Sequence, residues 1–140
     1  MPMKVVDIRR GPELTICAIA TPADDGGRDK CATLAFFQVQ KQTHTKQMVK
    51  LAALLTDVAN NGPPQDDTKF KNLPGTDDLY EFKTSGGLRL LCFWDEGSLI
   101  VCTHGYVKGA QKAPKHELKR AETLKRAYFE AKEKGILIHE

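Results

Sequence analysis

Long apolar segments are missing from this sequence. None of its 140 residues lies in an apolar run close to the roughly 18–20 residues that span a bilayer. The N-terminus places basic residues before a short apolar stretch, but Pro12 and Glu13 interrupt that stretch, so we expect no signal peptide. Internal repeats, low-complexity tracts and long linkers are also lacking. We therefore expect one cytoplasmic domain over residues 1–140, with no membrane partner.

Metal-ligand spacings are lacking too. The four cysteines have no CxxC spacing and no zinc-ligand pattern, so we interpret them as reduced thiols that pack as small apolar side chains. The aspartate pairs 66–67 and 77–78 lie among turn residues, where aspartate is common because it forms local hydrogen bonds. We expect neither a metal site nor a cofactor. The cysteines are Cys17, Cys31, Cys92 and Cys102.

A large excess of one charge is also missing, since 21 basic residues face 18 acidic ones and the net charge is +3. The basic residues are nevertheless concentrated between positions 108 and 126, where only Glu117 and Glu122 oppose them. Such a segment is either a footprint for a polyanion or a solvated helix face, and charge alone does not choose. The basic residues of the segment are Lys108, Lys112, Lys115, Lys119, Arg120, Lys125 and Arg126.

The first half of the chain predicts one strand and two helices, over about residues 4–60. β-Branched and apolar residues between 4 and 20 favour a strand, and turn residues fill 21–30. Apolar residues at helical spacing then predict helices over about 30–41 and 44–60. The first helix has an alternative, because its FFQVQ stretch is also compatible with an extended strand.

The second half predicts a β-meander over about residues 79–104 and a C-terminal helix over about 115–134. Short apolar runs separated by Gly- and Asp-rich turns give three antiparallel strands. Apolar residues at helical spacing give the helix, with Pro114 suited to its first turn and Gly135 to its end. The predicted fold class is α+β, with the order strand, helix, helix, three antiparallel strands, helix. We expect all helices on one face of a small antiparallel sheet.

Short motifs in the second half carry a resemblance to a known family. The stretches 71–75 (KNLPG), 79–83 (LYEFK) and 88–91 (LRLL) resemble the RelE/ParE toxin superfamily. The continuation 104–114 (HGYVKGAQKAP) resembles more specifically its HigB and phage-derived branch. The resemblance covers about residues 68–130, and its specificity comes from the order and spacing of the pieces.

The resemblance implies a RelE-like single domain that is the toxin of a type II toxin–antitoxin system. Such a toxin is a metal-independent endoribonuclease that cleaves messenger RNA at the ribosome, through attack of a ribose 2′-hydroxyl on its own phosphate. Its partners would be messenger RNA, ribosomal RNA and a cognate antitoxin, which we expect to be of the helix-turn-helix type.

Two alternatives on the same fold stay open. One is a ParE-like inhibitor of DNA gyrase, which needs no catalytic residues. The other is a prophage remnant that has kept the fold and lost activity. The departures from the branch bear on the second alternative, since Gly109, Ala113 and Leu88 stand where lysine, threonine and tyrosine are common.

Arg89 is the first candidate for the catalytic site. Alternation along its strand places it on the face opposite Leu88 and Leu90. A guanidinium offers a bidentate fork to a phosphate and stays charged at any relevant pH. The structural alternative is a strand arginine paired with Glu81 or Asp78.

Lys83 precedes Arg89 across the hairpin turn, and the length of that turn decides how they meet. A three-residue loop, 85–87, opposes Lys83 to Arg89 and turns both cations toward one pocket, where their repulsion favours Lys83 as a general base. A two-residue loop, 86–87, places them on opposite faces. The alternative for Lys83 is a solvated residue at a strand end.

The last strand supplies His104, a natural proton carrier near neutrality, and Tyr106 beside it. The resemblance gives both a catalytic role, and we expect them to meet Arg89 and Lys83 at an exposed hollow. The alternative for His104 is a hydrogen-bonding residue that caps the strand end. Lysines predicted to bind RNA or phosphate through sequence-independent attraction are Lys71, Lys108, Lys112, Lys115 and Lys119.

Overall fold

A computed structural model describes residues 3–22, 27, 29–109 and 114–140. Within these residues the chain forms eight strands and three helices. They are β1 (Met3–Arg10), β2 (Thr15–Thr21), β3 (Lys30–Cys31), α1 (Ala32–Thr43), α2 (Thr45–Asn61), β4 (Phe70–Asn72), β5 (Tyr80–Lys83), β6 (Leu88–Asp95), β7 (Leu99–Val107), α3 (Lys115–Glu133) and β8 (Leu137–His139). Among the described helices, none has the length and apolar character that a bilayer span requires.

The strands form one mixed sheet, in the order β4-β5-β6-β7-β2-β1-β8, with β3 paired to β2. Strands β5, β6 and β7 are the predicted antiparallel meander, and β4 extends it by one strand. The prediction of a wholly antiparallel sheet is wrong, because β2 pairs with β7 in parallel, and so does β1 with β8. The connection from β2 to β7 runs through α1, α2 and the strands β4 to β6, and parallel neighbours need such a long crossover.

The N-terminal segment is a hairpin, not the single strand that was predicted. β1 and β2 pair antiparallel, and the turn between them lies against the end of α2. The backbone N–H groups of Glu13 and Leu14 both donate to the carbonyl of Ala59. A Cβ on Gly11 would meet that carbonyl oxygen at 2.2 Å, so this approach requires glycine. The short strand β8 was also missed, since it forms only by adding to the free edge of β1.

The two predicted helices in the first half are confirmed, and they are separated at His44, whose φ of −138° and ψ of 57° are not helical. The extended alternative for FFQVQ is wrong, because Phe36 and Phe37 both turn into the core from one face of α1. Helix α3 ends at Glu133, close to its predicted end, and Gly135 follows with a φ of 71°.

The helices lie on both faces of the sheet, which corrects the prediction of a single covered face. α1 and α2 pack on the face that carries Leu88, Leu90 and Cys92, while α3 packs on the face that carries Leu91 and Phe93. The near-continuous apolar run of β6 explains this arrangement, because a strand buried on both sides needs apolar residues at every position.

Candidate functional site

The β5–β6 hairpin brings Lys83 and Arg89 together as direct cross-strand partners. The Thr84 backbone N–H donates to the Leu88 carbonyl at 3.1 Å, which closes a three-residue loop. The two-residue loop is therefore excluded, and both cations lie on one face of the sheet. Gly87 completes the loop with a φ of 96°.

Arg89 points to the face opposite Leu88 and Leu90, as predicted, but it is not free. Its Nε lies 3.7 Å from Oε1 of Glu81, and both side chains are almost fully buried. Its Nη1 donates to the carbonyls of Thr84 at 3.0 Å and Leu88 at 2.9 Å. The pairing with Glu81 that was the structural alternative is thus what the structure shows. Burial raises the pKa of Glu81, and the nearby Arg89 charge opposes that rise.

Strand β7 places His104 and Tyr106 on the same face as the hairpin cations. Tyr106 pairs with Arg89, and His104 pairs with Leu91. A register shift follows immediately, because the next pair joins Cys92 to Cys102. His104 is therefore the diagonal neighbour of Arg89. In ordinary sheet geometry the backbones of such diagonal positions lie about 7–8 Å apart. The pairing thus makes the two positions neighbours on one face of the sheet.

The predicted exposed hollow is not what the structure shows. His104 is 1% exposed and Tyr106 is 7% exposed, because α3 packs over this face of the sheet. His104 Nε2 lies 3.4 Å from Oε1 of Glu117 on α3, and Nδ1 lies 3.2 Å from the Thr103 hydroxyl. Burial lowers the pKa of His104, the Arg120 charge lowers it further, and Glu117 opposes both. The imidazole is consequently neutral near pH 7.

Unsatisfied polar atoms are concentrated at this place. Among the described residues, five buried side-chain nitrogen or oxygen atoms have no hydrogen-bond partner, and four of them belong to one cluster. We call this cluster the buried polar group, and it consists of Glu81, Arg89, His104 and Tyr106. Burial and the Glu81 charge raise the pKa of Tyr106 to about 12, so its hydroxyl stays protonated. Native proteins rarely leave such atoms unpaired, and where they do so together the place is a candidate for function.

Three half-buried lysines surround the buried polar group, and we call them the rim lysines. They are Lys71, Lys83 and Lys108. All three lower the pKa of Glu81, which shows that their charges act on the site. Lys71 is the cross-strand partner of Glu81, and the Lys108 backbone N–H donates to the Gly87 carbonyl at 2.7 Å.

The remaining predicted lysines do not join this cluster. Lys115 and Lys119 are exposed on α3. Lys112 lies outside the described residues, so its prediction has no structural counterpart. Glu117 also contacts His104, although in the sequence it stands out only as a charge that opposes the basic segment. No spacing rule connects Glu117 to His104, since α3 must first be placed over β7.

The cysteines and aspartates behave as structural residues. Cys17, Cys92 and Cys102 are buried in the core, which agrees with their interpretation as small apolar side chains. Burial raises the pKa of Cys17 to about 12. Asp66 accepts hydrogen bonds from the backbone and the hydroxyl of Thr68, as expected for an aspartate in a turn. Within the described ranges, no three His, Cys, Asp or Glu side chains are grouped as metal ligands.

The fold and the site define a small α+β protein with helices on both faces of a mixed sheet and a cationic hairpin beside a buried His–Glu pair. Residues 38–126 match the family described as phage-derived protein Gp49-like (DUF891). That match spans more than half of the chain, so the protein belongs to this family, which is a relative of the RelE-like toxins. No curated protein matches the chain.

Proposed function

We propose that the protein is the toxin of a type II toxin–antitoxin system, of the HigB-like branch, and that it cleaves messenger RNA at the ribosome without a metal ion. The observation that carries this proposal is the direct opposition of Lys83 and Arg89, on the sheet face that also bears His104 and Tyr106. Membership of a phage-derived family related to RelE-like toxins supports it.

The chemistry requires a proton acceptor, a cation for the phosphate and a proton donor. The 2′-hydroxyl loses its proton as its oxygen attacks the adjacent phosphorus, and the bond to the 5′-oxygen breaks. Arg89 binds the phosphate oxygens as a charge-assisted fork. His104 is neutral and accepts the 2′-hydroxyl proton, while the protonated Tyr106 hydroxyl returns one to the leaving oxygen. Lys83 adds charge or serves as an alternative base.

This mechanism requires the site to open. His104 lies beneath α3 beside Glu117, and Arg89 is paired with Glu81, so RNA must displace both carboxylates from their present partners. A phosphate bound to Arg89 would compensate for the loss of Glu81, because it also carries negative charge.

The same carboxylates favour a second candidate function. Arg89 and His104 are already paired with glutamates, so in the present arrangement neither is free to act on a substrate. This arrangement suits a protein without catalytic activity, such as a ParE-like inhibitor of DNA gyrase or an inactive prophage form. The exposed Lys115 and Lys119 suit the first candidate, since its partners carry a phosphate backbone. For the first candidate, the partners are messenger RNA, ribosomal RNA and a cognate antitoxin of the helix-turn-helix type.

Induced expression separates the candidates. Under the first, transcripts are cut soon after induction and growth stops, and under the second the cells form filaments with damaged DNA while transcripts stay intact. Lys83→Ala and His104→Asn should restore growth, whereas Lys46→Ala, at an exposed lysine of α2 with no assigned role, should leave the arrest unchanged. Arg89 is tested in the double variant Glu81→Leu/Arg89→Met, which leaves no unpaired buried charge. Intact transcripts in arrested cells, or full toxicity of the folded variants, would refute the nuclease.

A further inference from the structure

A separate cavity of about 250 Å³ lies beside His104, between α3, the end of β2 and the start of α1. Its volume is below the roughly 300–1,000 Å³ of pockets that hold drug-sized ligands, so it suits a small group. The cavity does not include any residue of the buried polar group, but Thr103, the neighbour of His104, forms part of its wall. The lining residues are Ile19, Thr21, Lys30, Ala32, Thr103, Arg120, Thr123 and Leu124.

The cavity forms where the strands β2 and β7 stop pairing with each other. β2 and β7 pair in parallel only as far as Ala18 and Cys102. Beyond that pair, β2 continues with β3 as its partner, while the register of β7 shifts at Thr103. The two strands therefore separate, and α3 covers the gap. Ligands in α/β proteins commonly bind where neighbouring parallel strands diverge.

The charge of the lining is of one sign. Lys30 and Arg120 contribute the two charged side chains, and no carboxylate is among the described lining residues. In the part of the chain that the structure describes, neither of these two side chains has an ion-pair or hydrogen-bond partner. Both residues are exposed, and two cations that line one small cavity give it a positive potential that attracts an anion.

The polar lining also supplies one hydrogen-bond donor. Three threonines, from β2, β7 and α3, line the cavity, but the Thr21 and Thr103 hydroxyls already donate to the carbonyls of Lys30 at 3.4 Å and Leu91 at 3.3 Å. The Thr123 hydroxyl accepts a hydrogen bond from Arg126 at 3.5 Å, so its own hydrogen remains available to a ligand. Two cations and one donor hydroxyl around a small volume suit a phosphate group.

We propose that this cavity binds a phosphate group through Lys30, Arg120 and Thr123. If the proposed ribonuclease function holds, that group is a backbone phosphate of the RNA next to the one that is cleaved, and the cavity fixes the register of the strand. Without that function, the same chemistry would bind free phosphate or a small phosphorylated ligand. Only the source of the phosphate rests on the proposed function.

His104 provides a second readout of binding. Arg120 now lowers its pKa, and an anion bound to Arg120 would offset that effect. Three residues of α3, Arg120, Glu117 and His116, influence the pKa of the imidazole. On its own strand, the Thr103 hydroxyl contacts the imidazole. Phosphate binding should therefore move the His104 titration to higher pH.

The test is an amide and imidazole NMR titration of the full chain at constant ionic strength. The probes are inorganic phosphate and a short RNA whose 2′-hydroxyls are methylated, so that it is not cleaved. Both should shift the amides of Lys30, Thr103 and Thr123. Arg120→Gln should weaken binding about tenfold or more, since it removes a charge-assisted pair. Lys46→Gln, at an exposed cation on α2 with no assigned binding role, should bind as the unmodified chain does.

Each outcome of the titration either supports or overturns the phosphate site. Shifts with both probes, lost together in Arg120→Gln, support an RNA-phosphate site. Shifts with phosphate alone support a site for a small phosphorylated ligand and leave the cleavage proposal to its own test. No shift at the cavity, equal weakening by Lys46→Gln, or unchanged binding in Arg120→Gln overturns the proposal. Because no outcome depends on cleavage, failure of the ribonuclease proposal is recognised separately.

Discussion

Glu81 and Arg89 form a buried ion pair on neighbouring strands, with Oε1 and Nε 3.7 Å apart. Removing one partner leaves the other charge unpaired in the interior, which typically costs about 3–5 kcal/mol. We expect Arg89→Met alone to lower the free energy of unfolding by such an amount, and Glu81→Leu/Arg89→Met to recover most of it. Urea denaturation of Arg89→Met, Glu81→Leu and the double variant measures the coupling free energy between the two side chains. Purely additive effects would contradict a functional pairing of these two side chains.

The buried His104 predicts a loss of stability in mildly acidic solution. Its pKa in the folded protein lies below the ordinary value of 6.5, chiefly because of burial. The neutral form is thus favoured by folding, and the contribution to stability is present above pH 6.5 and is lost as the pH falls through the lower folded value. Urea unfolding between pH 7.5 and 5.5 should show this decline. His104→Gln should flatten it, whereas His116→Gln, at an 81% exposed side chain, should retain it.

Gly105 lets α1 approach β7. A Cβ at this position would lie 2.3–2.6 Å from ring atoms of Phe36, so Gly105→Ala should cost about 1–3 kcal/mol of stability through overpacking. Gly109→Ala is the matched control, because no atom of the described residues lies within 4 Å of its added Cβ, and its effect should stay within about 0.5 kcal/mol. Thermal unfolding compares the two. Phe36→Leu should relieve part of the Gly105→Ala defect, and equal stability of both alanine variants would disprove the contact.

Tyr128 anchors α3 to the sheet through its hydroxyl, which donates to Asp95 Oδ2 at 2.6 Å. A hydrogen bond to a charged acceptor contributes about 1.5–3 kcal/mol, so Tyr128→Phe should destabilise the protein by that order. Lys132 also contacts Asp95, at 2.8 Å, but it is 41% exposed, and Lys132→Met should cost no more than about 1 kcal/mol. Chemical denaturation at neutral pH gives both values. A larger loss for Lys132→Met than for Tyr128→Phe would reverse this assignment.

Local pattern predicted the elements that are set by near neighbours in sequence. The helical spacing of apolar residues located α1, α2 and α3 within a few residues. Alternation along β6 placed Arg89 opposite Leu88 and Leu90, as the structure has it. These predictions succeeded because the periods of helices and strands are properties of the backbone itself.

Local sequence pattern did not predict how segments that are distant in the chain pair with each other. The sequence is compatible with two hairpin loops, and only the paired strands select the three-residue loop that opposes Lys83 to Arg89. The face chosen by α3 was predicted wrongly, and with it the exposure of His104. β8 has no signal of its own, because it exists only as an addition to the edge of β1.

The amino-acid sequence by itself determined the helices, the meander, the family motifs and the candidates Lys83, Arg89, His104 and Tyr106. Only the tertiary structure decided that Glu81 and Glu117 oppose the arginine and the histidine, and that a cationic cavity opens between β2 and β7. The physical reason is that periodicity and propensity act over a few residues. Burial, ion pairing and strand divergence depend on segments that meet only when the chain has folded.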